Sequence, residues 1–177
     1  MTDELQNTKE YLFQDIKLTT MDNLLNETTF EEHIASYLAN SDLYNQRSSA
    51  QFDIEKLCDV EMLELFLRQQ PVLWAKLSKH FPGQETATVI REYNKRIDRG
   101  ESILTIMRKG FTVSGAKVKF CQFKPVLESE ETDNYRLYRA NRFSVVRQMR
   151  YSLGKDSGNE LDMCILLNGI PLFTFEL

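Results

Sequence analysis

The chain has 177 residues, the length of one compact domain, with 42% hydrophobic and 11% aromatic residues; a chain of that kind buries roughly two-thirds of its unfolded surface and is not a disordered tail. No apolar run approaches the about 18 residues a membrane helix needs, and Met1–Phe13 lacks both the basic flank and the apolar stretch of a secretion signal. The net charge of −4 is unevenly spread: residues 102–150 hold ten Lys and Arg against four acids, whereas residues 1–101 hold eleven against eighteen, so a local basic stretch is available to a polyanionic partner.

The first hundred residues read as helical. Thr29 and Glu32 have capping-box spacing, and Phe30, Ile34, Tyr37 and Leu38 then fall on one helical face, with the polar Asn40–Ser41 as the stop. A second helix is predicted over Val60–Gln69. Pro71 precedes a third over Val72–Lys79, and Pro82–Gly83 breaks it. Two more follow, Glu85–Arg99 closed by Gly100 and Ser102–Lys109 closed by Gly110. After Gly110 the period becomes two: Val118 and Phe120 alternate with Lys117, Lys119 and Cys121, a strand with a basic outer face. The acidic run Glu128–Asp133 reads as a solvated loop. Phe143–Tyr151, Leu161–Leu167 and Ile170–Leu177 are three strand segments separated by turn chemistry, Gly-Lys-Asp-Ser-Gly-Asn and Asn-Gly, and predict an antiparallel meander. The expected fold class is therefore α+β, a single domain over residues 1–177, helical to about residue 110 and β-rich from 111. The apolar ending Phe175-Glu176-Leu177 reads as a cut from a longer protein.

Several chemistries have no support. There is no GxxxxGK[ST], GxGxxG or GxSxG, and His33 and His80 lie far apart without HExxH spacing. Cys58, Cys121 and Cys164 are odd in number and widely spaced, which reads as reduced thiols of a cytoplasmic protein and not as a disulfide or zinc framework. Two carboxylates remain, Asp162 and Glu176, inside the closing hydrophobic strands. Acids are depleted in strands and costly to bury unless paired or bound to a cation. Mg²⁺ is one such cation, taking one or two carboxylates and completing its shell with water and phosphate. The plainer alternative is a turn-end aspartate and an exposed strand-end glutamate.

The segment Asn141–Tyr151, then Leu161-Asp162, Asn168-Gly169-Ile170-Pro171-Leu172 and Phe175-Glu176-Leu177, with Arg108-Lys109-Gly110-Phe111 and Phe123-Lys124-Pro125 upstream, resembles the amino-terminal nuclease domain of the restriction (HsdR) subunit of type I restriction–modification enzymes. The likeness covers about residues 102–177. It implies a PD-(D/E)xK nuclease in which Asp162 and Glu176 are the catalytic acids that hold Mg²⁺, with the motif lysine following Leu177, so that this stretch alone would not cut DNA. An acid on the preceding helix sometimes joins such a site, and Glu31, about 75° from the centre of its helix's apolar face, is the candidate. For the parent protein the resemblance implies cleavage of double-stranded DNA, an ATP-driven motor further along the chain, and assembly with modification (M) and specificity (S) subunits. From the residues themselves, Gln148, Arg150, Arg142, Lys117 and Lys119 are candidates for phosphate contact or site support. Arg147 falls on the more hydrophobic face of its strand and calls for an acidic partner. DNA binding by such a surface is expected to be weak, salt-sensitive and sequence-independent. A non-catalytic nucleic-acid-binding or subunit-assembly module is the competing reading.

Two structural expectations follow. The strand Ile170–Phe175 should leave an apolar patch exposed unless the amino-terminal helices cover it. If Asn168-Gly169 is a two-residue hairpin loop, Leu167 pairs with Ile170, Asp162 faces Phe175, and Glu176 points to the opposite side of the sheet. A shared cation then requires a register shift of one, through a three-residue loop with Gly169 as the bulge or through a bulge within a strand.

Overall fold

The fold is described from a computed structural model covering residues 27–41, 43–151 and 159–176. Helix α1 is Glu27–Ala39, followed by strand β1, Tyr44–Arg47, and a short 3-10 turn, Ser49–Gln51. Four helices come next: α2 Val60–Arg68, α3 Pro71–His80, α4 Glu85–Asp98 and α5 Ile103–Lys109. A small hairpin, β2 Phe111–Val113 and β3 Ala116–Val118, leads to α6, Asp133–Arg139, and then to β4 Phe143–Arg150, β5 Glu160–Leu167 and β6 Ile170–Phe175. The fold class is α+β, as expected.

Local signals explain the middle helices. Asp59 caps α2 by accepting the Met62 N–H, Ser102 caps α5 by accepting the Thr105 N–H, and Pro71 opens α3 where its missing N–H costs nothing. Their apolar faces, with the β2–β3 hairpin, form the largest core around Leu63, Leu67, Leu77, Val89, Tyr93 and Phe120, and Leu167 and Ile170 join it from the main sheet.

That sheet has the order β1-β4-β5-β6. The predicted meander is present, β4 antiparallel to β5 and β5 to β6. An edge strand, β1, runs parallel to β4 inside the stretch expected to be helical. Four further expectations are corrected. Helix α1 begins at Glu27, so Thr29 lies within it and is not its cap. Its buried side centres on Ala35, which packs on Val145 and Met163 with Ile34 and Leu38, while Phe30 and Tyr37 are exposed. The acidic run ends in a helix, with Thr132 capping α6 through the Tyr135 N–H. Lys117 and Val118 lie in β3, one arm of a hairpin, and Lys119 and Phe120 lie beyond it. The Gly-Lys-Asp-Ser-Gly stretch between β4 and β5 falls outside the described residues.

The apolar patch on β6 is confined to its outer half: Ile170 is fully buried, whereas Phe173 and Phe175 are exposed. Among the described residues no helix is long and apolar enough to cross a membrane.

Candidate functional site

The two carboxylates are set by the β5–β6 hairpin. Asn168 and Gly169 both have positive φ, 51° and 82°, the conformation of a tight two-residue turn. Next to it Leu167 faces Ile170 and Leu166 faces Pro171; beyond it Ile165 faces Phe173 and Met163 faces Phe175. Leu172 is therefore an extra residue, a bulge in β6 beside a proline that cannot donate to the ladder. The local reading of Asn-Gly holds at the turn, and the shift of one arises within the strand. Continued by one rung, the register sets Glu176 across from Asp162, the relation in which antiparallel side chains share a face. Asp162 is half-buried and Glu176 exposed.

The turn itself is buried. The Asn168 side chain is fully inaccessible. Its Oδ1 accepts the Arg142 N–H at 2.8 Å, and its Nδ2 donates to the Phe120 carbonyl at 2.9 Å and to Asn141 Oδ1 at 3.0 Å. One amide thus ties the hairpin to the start of β4 and to the segment after β3.

On its other side Asp162 meets β4. Arg147 pairs with Met163 and Met149 with Leu161, but the rung between them, Gln148 and Asp162, is missing from the ladder, and Gln148 has φ 48°. Val146 and Met149 share one apolar cluster with Cys164 and Leu161, although residues three apart on a regular strand point to opposite faces. The alternation therefore skips at the Gln148–Asp162 rung. A side chain held in the left-handed region is strained by about 1 kcal/mol or more, and here the strain lies beside a candidate catalytic acid.

Arg147 has the acidic partner its position demanded. Its Nε and Nη2 donate to Glu31 Oε2, each at 3.4 Å, and Glu32 lies 3.9 Å away. Glu31 is only 4% exposed. The apolar pattern of α1 put Glu31 on a flank; the guanidinium on the sheet draws it inward. Arg147 and Asp162 each make further interactions.

Gln148, Arg147 and Arg150 line a cleft of about 660 Å³ with Arg47, Ser48 and Ser49. Arg47 was not singled out from the sequence because β1 itself was not. It forks onto the buried Asp59, Nε to Oδ2 at 2.8 Å and Nη2 to Oδ1 at 3.1 Å, and reaches Glu61 at 2.6 Å; the bond to Asp59 holds the guanidinium pKa above its ordinary value. Arg150 pairs with Glu160 at 2.8 Å. The remaining candidates lie elsewhere. Arg142 sits at the other end of β4, donating to the carbonyls of Arg139 and Asn141. Lys117 and Lys119 line a separate groove beside α3. His33 and His80 are exposed, and among the described residues no three His, Cys, Asp or Glu side chains converge as a metal-binding group.

Comparison with protein families matches residues 25–177 to the type I restriction enzyme R protein N terminus. The chain belongs to that family. Neither a search of curated proteins nor one of solved structures returned a match. Membership extends the likeness beyond the strands that first carried it: α1, with Glu31, and β1, with Arg47, lie inside the matched region of this R-protein domain.

Proposed function

We propose that this domain carries the two acids of a Mg²⁺-dependent endonuclease site, and that in the complete R subunit it hydrolyses phosphodiester bonds of double-stranded DNA in step with ATP-driven translocation. The observation that carries the reading is the Leu172 bulge: it shifts the register by one, so that continued one rung past Met163 and Phe175 the pairing would bring Glu176 opposite Asp162. Hard carboxylate oxygens suit Mg²⁺, which asks for only one or two of them and fills its shell with water and phosphate. When bound, the cation supplies charge stabilisation at the phosphate and a water acidic enough to attack near neutral pH.

The chain's own residues do the rest. Asp162 and Glu176 hold the cation, and Gln148 and Arg150, in the adjoining cleft, contact the phosphate backbone. Glu31 is committed to Arg147, so it is assigned to holding that guanidinium and not to the metal. The modification and specificity subunits are the proposed partners, the latter reading the DNA sequence, in the cytoplasm.

The test is cleavage of supercoiled plasmid by the complete R subunit assembled with its partners, Mg²⁺ and ATP. Asp162→Asn and Glu176→Gln should each lower cleavage by roughly a thousandfold or more while ATP hydrolysis persists. Cleavage at the unsubstituted rate would favour the non-catalytic module instead.

A further inference from the structure

The groove holding Lys117 and Lys119 is built from elements that have no part in the carboxylate site. Its walls are α3 and the β2–β3 hairpin, with α6 closing one side, and it encloses about 580 Å³. Two contacts fix its width. The Gln70 side chain, only 8% exposed, donates to the Lys119 carbonyl at 2.8 Å and accepts the Lys119 N–H at 3.1 Å. Lys76 Nζ donates to the Gly115 carbonyl at 2.9 Å across the same gap. Such a groove is present before any partner arrives, so little of the binding energy goes into ordering it.

Its chemistry is divided. The rim carries five cations, of which Arg136 is engaged by Asp133 and Arg68 by Glu64 at 2.7 Å. That leaves Lys76, Lys117 and Lys119 without a carboxylate partner among the described residues, Lys119 Nζ donating to Gln122 Oε1 at 2.8 Å. This is a positive rim on a chain whose net charge is −4. Lys117 stands outward because its strand neighbours Ala116 and Val118 are buried. The floor is apolar: Val72, 71% exposed, with Pro71, Leu73 and Leu137. A duplex backbone offers phosphates to the rim but nothing to cover Val72, whereas a polypeptide with apolar anchors among carboxylates satisfies both.

We propose that this groove docks an acidic segment of a partner polypeptide, carboxylates meeting Lys117 and its neighbours and an apolar side chain covering Val72. The inference does not rest on the nuclease reading. It is tested with the full chain and a fluorescein-labelled peptide of about fifteen residues, leucine at helical spacing and glutamate elsewhere, beside the same peptide with lysine for glutamate and a short DNA duplex. Lys117→Glu and Val72→Asp change exposed side chains, and circular dichroism checks that both variants fold. The glutamate peptide should bind and the lysine peptide should not, each variant should weaken binding roughly tenfold or more, and Asp162→Asn should leave it unchanged. No binding of the glutamate peptide, or binding indifferent to both substitutions, overturns the proposal. So does loss of duplex binding in Lys117→Glu without any peptide binding, which would make the groove a nucleic-acid track.

Discussion

The carbonyl of Gly169 accepts the Asp59 N–H at 2.8 Å, and a Cβ on Gly169 would stand 2.3 Å from the Asp59 carbonyl oxygen. The tip of the β5–β6 hairpin therefore lies directly on the first turn of α2. Asp59 is 1% exposed, caps α2 and anchors Arg47 of β1, so three elements meet at one backbone contact. The shifted register of β5 and β6, which carries the proposed meeting of Asp162 and Glu176, starts from this turn.

Gly169→Ala should accordingly be among the most damaging small substitutions in the chain. It places a side chain at φ 82° and drives it into backbone that cannot move without displacing α2. A loss of about 3 kcal/mol or more is expected in urea unfolding. A loss under about 1 kcal/mol would mean that the turn is not seated on the helix.

What the sequence revealed and what it hid divide along a physical line. Helices α2 to α5 were legible because most of their ends are written locally, in Pro71, Gly100, Ser102 and Gly110. Strand β1 was not: Tyr44-Asn45-Gln46-Arg47 has no apolar alternation, and what makes it a strand is pairing with Phe143–Val146, nearly a hundred residues away. The Thr29–Glu32 spacing suggested a helix start, whereas the helix already includes Glu27 and Thr28. In the closing hairpin the turn could be read from Asn-Gly, whereas the bulge at Leu172 had only Pro171 as a local sign, a residue that suits a plain edge strand equally well. The requirement that two acids share a face is what singled out a shift of one.

The Glu31–Arg147 pair is a second consequence of long-range context, and it can be measured. Removing one side of a largely buried pair is costly, but Arg147 keeps some exposure, has Glu32 nearby and makes further interactions, so the cost of Glu31→Gln should be about 2 kcal/mol. A double-mutant cycle with Arg147→Met should return a coupling of about 1 kcal/mol or more. A coupling near zero would show that the two side chains are neighbours without an interaction.

The thiols give a pH dependence of definite sign. Burial raises Cys58 from its ordinary 9.0 to about 12 and Cys164 to about 11, and it also raises Tyr93. The folded chain keeps these protons where the unfolded chain releases them, so their stabilisation is complete below about pH 9 and is lost as pH rises through the folded values. The urea midpoint should fall between pH 8 and pH 10.5, and Cys58→Ala with Cys164→Ala should flatten the decline. In the native state a thiol reagent should reach the half-buried Cys121 well before the other two.

Gln148 allows the strain beside Asp162 to be separated from the side chain's use. At φ 48° a glycine is comfortable where glutamine is not, so Gln148→Gly should be neutral or stabilising by up to about 1 kcal/mol in thermal unfolding. Gln148→Val should be destabilising by a similar amount, because a β-branched residue resists that conformation more strongly. If the amide contacts phosphate from the cleft it lines, the glycine variant will be at least as stable as the parent and yet cleave DNA more slowly in the complete R subunit. A glycine variant that both gains stability and keeps full cleavage would show that the left-handed rung serves only to shape the sheet around Asp162. A glycine variant that loses stability would mean that the φ of Gln148 is not a source of strain, and the reason for the missing rung would then have to lie on the Asp162 strand.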